Sequence, residues 1–140
     1  MYRDMPAGRE VLLVHPGGPF WAKKDEGAWS IPKGEFGESE DPLRAAKREF
    51  EEELGVAVDG EFVALPTIKQ KGGKVVHAWA VRGDFDVSKL KSNSFEMEWP
   101  PKSGKMRSFP EVDQAAWFDM ETARRKMLPS QAPLLEALPS

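Results

Sequence analysis

Residues 41–55 leave the chain little choice but an α-helix. Asp41 is a good N-cap, Pro42 fits the first turn, the residues of Pro42–Leu54 are almost all strong helix formers, and Gly55 supplies a stop. Leu43, Ala46, Phe50 and Leu54 fall on one apolar stripe, so one face is expected to pack on a core. Positions i, i+3 and i+4 share a helix face, which projects Glu49, Glu52 and Glu53 together, away from that stripe. Three carboxylates that close repel one another unless cations bind between them. Magnesium prefers hard oxygen ligands and keeps some of its waters, which suits a site shared with substrate phosphates. Arg48 is able to grip a carboxylate with two parallel hydrogen bonds, and Glu40 is its natural partner or a further ligand.

Composition narrows the chemistry. With no cysteine in 140 residues, disulfides, thiolate zinc sites and cysteine nucleophiles are excluded, and any metal must sit on oxygen or imidazole. The length suits a single domain over 1–140, with one buried core and one active site. The longest apolar runs span about four residues, as at 11–14, far short of a bilayer span, so a cytoplasmic protein without membrane contact is expected. The net charge of −3 argues against non-specific nucleic-acid binding, although local lysines can still receive a phosphate.

Along the chain, residues 11–14 read as a buried strand closed by a Pro-Gly-Gly-Pro turn at 16–19. Residues 62–68 and 75–81 read as two strands joined at Gly72-Gly73. The stretch 84–110 reads as a long loop, of the kind that often contacts substrate, followed by a short strand at 115–118 and a helix or broken helix pair over 121–128 and 132–138. The first residues look like the tail of an earlier strand entering a turn at 6–8. Met1 is therefore expected to lie inside a strand of a longer protein.

Between positions 34 and 56 the chain reads GEFGESEDPLRAAKREFEEELGV. An isolated glutamate run is usually a solvated helix face. Here, however, Gly34, Glu40, Arg48, Glu49, Phe50, Glu52, Glu53, Gly55 and Val56 match every specified position of the Nudix box, G-x5-E-x7-R-E-U-x-E-E-x-G-U with U aliphatic or aromatic. The chain thus resembles the Nudix hydrolases. One departure is Ser39, where many members carry glycine. The resemblance extends to Trp29 and Pro32-Lys33-Gly34 ahead of the box, and to Glu111 six residues before Trp117. With the stretch beginning at His15-Pro16-Gly17-Gly18, it is similar to a bacterial subgroup described as predicted nucleoside triphosphate pyrophosphohydrolases.

The resemblance implies an α/β/α sandwich with a mixed sheet between helices. It implies that Glu52 and Glu53 bind magnesium, or manganese in its place, that Glu49 is a ligand or the base that activates water, and that Glu111 is an additional ligand or base. The expected partner is a small phosphoanhydride substrate, with nucleoside triphosphates or dinucleoside polyphosphates favoured. Lys33, Lys102, Lys105 and Trp29 are the expected substrate contacts, the lysines for phosphate and the tryptophan for a base. The tyrosine of diadenosine polyphosphate hydrolases is missing, with Gly73 in its place, and so is the proline of ADP-ribose hydrolases, with Lys71 and Gly72 there. Two other functions are possible on the same fold: a catalytically silent nucleotide-binding regulator, and an RNA-end pyrophosphohydrolase, which would need a basic surface.

Overall fold

A computed structural model of the chain describes residues 1–33, 39–69, 73 and 75–139. Gly34 of the box and Gly72 of the expected turn lie outside the described residues. Strands β1 (Tyr2–Met5) and β2 (Gly8–Pro16) form an antiparallel pair from Tyr2↔Val11 to Met5↔Gly8. The strand expected ahead of residues 11–14 is thus present and paired. A long last strand, called β9 in chain order (Val112–Asp119), lines the other edge of β2, with a bulge between His15 and Pro16. Strand β2 is apolar at consecutive positions because both of its faces are covered. Val11 and Leu13 join Tyr2, Trp29 and Ala80 in one core cluster. Leu12 and Val14 join Phe50, Leu54 and Val112 in the other.

Helix α1 (Pro42–Leu54) covers the second cluster. Its N-cap Asp41 accepts from Arg44 N at 3.1 Å, and its C-cap Gly55 takes φ 85°. The buried stripe is Ala45, Phe50 and Leu54; Leu43 is only half-buried, and Ala45 replaces Ala46 at its centre. Helices α2 (Met120–Lys126) and α3 (Pro133–Glu136) carry Ala123, Met127 and Leu135 against the first cluster, completing an α/β/α arrangement. The C-terminal helix is therefore a broken pair, interrupted by a 3-10 turn at Pro129–Gln131.

Strands β3 (Phe62–Ala64) and β6 (Trp79–Val81) pair antiparallel, as do β4 (Ile68–Lys69) and β5 (Val75–Val76), so the expected two-strand hairpin is split by irregular residues on each arm. A parallel bridge from Tyr2 to Arg82, with Gly83 N donating to Tyr2 O at 3.0 Å, joins β6 to β1 and makes the sheet mixed. The loop expected over 84–110 is in part a hairpin. Strands β7 (Ser94–Glu98) and β8 (Met106–Pro110) pair from Ser94↔Pro110 to Glu98↔Met106. Its sequence signal is the alternation of Phe95, Met97 and Trp99, masked by the prolines and charges around it. Among the described residues no helix is long and apolar enough to cross a membrane.

Candidate active site

Arg48 organises the exposed side of α1. Its Nε and Nη2 donate to the two carboxylate oxygens of Glu40 at 3.0 and 2.9 Å, the bidentate pairing expected from the sequence. Its Nη1 reaches forward to Glu49 at 2.8 Å and to the Glu52 carboxylate at 3.3 Å. One guanidinium thus ties the segment ahead of the helix to two of its three central glutamates. Its own pKa is held above the ordinary value, chiefly by Glu40.

Glu53 is half-buried, and one of its carboxylate oxygens accepts from Lys33 N at 3.0 Å. Burial pushes its carboxyl up to about 8, and the charges of Glu49 and Glu111 push in the same direction. Glu49 is also raised, first by burial, then by Glu52 and, more weakly, by Glu111. Glu111 thus belongs electrostatically with the helix glutamates although it lies 58 positions beyond Glu53.

Backbone bonds bring it there. Asn93 N donates to Glu52 O at 2.8 Å, Glu111 N donates to Asn93 O at 2.8 Å, and Gly17 N donates to Glu111 O at 2.9 Å. Asn93 and Gly17 are positioning residues that the sequence did not reveal, because each acts through its main chain. For Gly17 the signal would have been the lack of a Cβ, which would fall 1.9 Å from Pro110 O.

The donors suit a divalent ion. All are hard carboxylate oxygens, and two of them carry a pKa displaced by burial and mutual repulsion, a cost that a bound cation relieves. Among the described residues no three acidic or imidazole side chains converge as a ready-made cage, and Arg48 spans Glu49 and Glu52 instead.

The expected substrate contacts fare differently. Trp29 is 4% exposed, donates from Nε1 to Asp25 at 2.8 Å, and packs edge-to-face against His15 and Phe118. That corrects the base-stacking expectation: its ring is consumed by the core. Lys33 is exposed and adjoins Glu53 through its backbone. Lys102 and Lys105 sit at the tip of the β7–β8 hairpin, beyond the five residues of β8, or about 17 Å of strand, from the Glu111 end. Glu98 accepts there from Lys102 N.

With this geometry in hand, the NUDIX domain model matches residues 3–138. An RNA pyrophosphohydrolase of Bartonella henselae is 28% identical over 109 residues, covering 67% of this chain; the match spans 58% of that protein's length. The crystal structure of a C. elegans Ap4A hydrolase binary complex superposes with a TM-score of 0.63 at 22% identity, covering 96% of this chain and 88% of that one. The solution structure of the E. coli ORF135 protein superposes at 0.53 with 25% identity, over 96% and 81% of the two chains.

Proposed function

The chain belongs to the NUDIX family, whose domain model covers nearly all of it, and on that premise we propose that it is a hydrolase of phosphoric anhydrides, splitting a diphosphate linkage with water. The observation that carries this reading is the gathering of Glu49, Glu52 and Glu53 on one helix, with Glu111 brought to them by main-chain bonds. Glu52, Glu53, Glu49 and Glu111 would hold magnesium or manganese. Such an ion, when bound, neutralises phosphate charge and lowers the pKa of water.

The chain's own residues then divide the work. Lys33 N fixes the Glu53 carboxylate, and Arg48 keeps Glu40, Glu49 and Glu52 in register. Glu49 or Glu111 takes the proton of the attacking water. Lys33 meets a substrate phosphate beside the cluster. Lys102 and Lys105 would reach only the far part of an extended substrate. The substrate class is a nucleoside triphosphate or dinucleoside polyphosphate, acted on in the cytoplasm. The complete carboxylate set speaks against a silent binder.

A second reading, removal of pyrophosphate from RNA 5′ ends, is favoured by the similarity to the Bartonella henselae RNA pyrophosphohydrolase. A magnesium-dependent hydrolysis screen over nucleoside triphosphates, diadenosine polyphosphates, nucleotide sugars, ADP-ribose and 5′-triphosphate RNA tests both. Release of phosphate or pyrophosphate from the first two groups supports the main reading, and turnover confined to RNA selects the second. No turnover with any substrate under magnesium or manganese overturns the assignment.

A further inference from the structure

With Trp29 held in the core, a substrate base needs another ring to stack on. Among the described residues Phe20 is the one phenylalanine, tyrosine or tryptophan that is exposed, at 62%. A tight turn presents it. Trp21 N donates to Gly18 O at 3.4 Å, with Pro19 and Phe20 at the two corners, and proline at the first corner fixes the backbone there. The turn begins beside the carboxylates, because Gly17 N holds Glu111 O. At roughly 3.5 Å per residue or less, the Phe20 Cα lies within about 11 Å of the Gly17 Cα.

The same turn runs along one face of the β7–β8 hairpin. Opposite residues of an antiparallel pair share a face, and successive residues alternate between faces. Phe95 and Phe109 therefore share a face with Met97 and Arg107, while Glu96 and Glu98 turn to the other. Trp99 N donates to Lys105 O at 3.0 Å and carries the first face one step further. Gly18 sits against the ring of Phe95, where a Cβ would fall 2.9 Å from Cζ. Phe20 meets Trp99 edge-to-face, with ring centroids 5.7 Å apart. Such a contact occupies at most one face of a ring, so Phe20 keeps a face open while Trp99 holds it in place. Arg107 lies on this hairpin face between the Glu111 end and Trp99, exposed and without an ion pair among the described residues.

We propose that Phe20, steadied by Trp99, is the stacking platform for the base of a nucleoside polyphosphate whose phosphates pass Arg107 on the way to the carboxylate cluster. This rests on the hydrolase reading above and places the half of the substrate that the carboxylates do not touch. A guanidinium offers a phosphate two parallel donors, where an ammonium offers a point charge. Every base has a π-face, so the platform admits purines and pyrimidines alike. Proteins that track a nucleic-acid strand stack successive bases on successive rings, whereas here Phe95 and Phe109, next along the face, are half-buried. The occupant is thus a single nucleoside on a polyphosphate chain.

The test reads affinity apart from turnover, by isothermal titration in magnesium with two ligands. One is the bismethylene analogue of ATP, whose bridges resist hydrolysis, and the other is the same triphosphate analogue without its nucleoside. Phe20→Leu, which keeps an apolar contact with Trp99, should weaken the nucleotide analogue about tenfold and leave the base-free ligand unchanged. Phe20→Trp should restore the nucleotide affinity, and Arg107→Gln should weaken both ligands alike. Unchanged nucleotide affinity in Phe20→Leu overturns the proposal, as does an equal loss of both ligands there, which would mark a structural role. Unchanged affinity for both ligands in Arg107→Gln overturns the phosphate path. Any of these, in a wild type that hydrolyses nucleoside triphosphates, leaves the hydrolase reading standing. A wild type that neither binds these ligands nor hydrolyses a nucleoside triphosphate overturns both.

Discussion

At the scale of single residues, the four carboxylates differ in what holds them. Glu52 shares Arg48 with Glu49, whereas Glu53, half-buried like Glu52, is anchored by one main-chain N–H. Glu53→Gln keeps the shape and loses the charge, so turnover should fall by a factor of about a hundred or more with the fold intact. Single-turnover rates beside a circular dichroism melt check this, and a variant within threefold of wild type sinks the assigned site. Trp29→Ala tests the correction made above. A core tryptophan truncated to alanine should cost about 3–5 kcal/mol, measured by urea unfolding, and the conservative Trp29→Phe should leave KM unchanged. A selective rise in KM for Trp29→Phe would return the residue to the substrate site. The box was legible in the sequence because the helix period places its glutamates together without help from the rest of the chain. Trp29 was not, because a tryptophan suited to stacking on a base is equally suited to a core.

At the scale of elements, α1 and the core strand β2 were readable from capping residues and continuous apolar character. The β7–β8 hairpin was not, since its alternation is interrupted by charge and proline. Nor did Gly17 advertise its part. It donates to Glu111 O with no space for a side chain, so Gly17→Ala must push Pro110 and Glu111 apart. Turnover should drop at least tenfold through kcat, with a smaller change in melting temperature than the core variant Trp29→Ala gives. Equal kcat in Gly17→Ala and wild type would show that Glu111 takes no part in the chemistry.

At the scale of the whole molecule, charge links distant parts. Asp4 on β1 accepts from Arg9 at 2.7 Å and from Arg82 beyond β6, and these bonds hold its carboxyl down at about 2, against 3.8 for the ordinary group. A depressed carboxylate stabilises the fold above the unfolded value and loses that contribution as pH falls through the folded one. Stability should therefore decline between about pH 4 and pH 2 more steeply in wild type than in Asp4→Asn, read from urea midpoints; parallel curves would remove Asp4 from the acid limb. Magnesium should act globally as well, raising the melting temperature of metal-stripped protein with concentration, because the carboxylates are gathered only in the folded state. A flat titration with both magnesium and manganese would count against a cation site.

The main-chain bonds at Asn93 have one more consequence. Its N–H is fastened to the helix bearing the glutamates and its C=O to Glu111, while Glu111 is fastened in turn to Gly17. Both feet of the hairpin are therefore pinned beside the glutamate helix, and everything between them stands outside that ring of bonds. The arm can lengthen, shorten or change its side chains without displacing Glu111 or the helix glutamates. Under the proposed function, what a descendant of this chain recognises is thus free to drift while the proposed hydrolysis stays fixed.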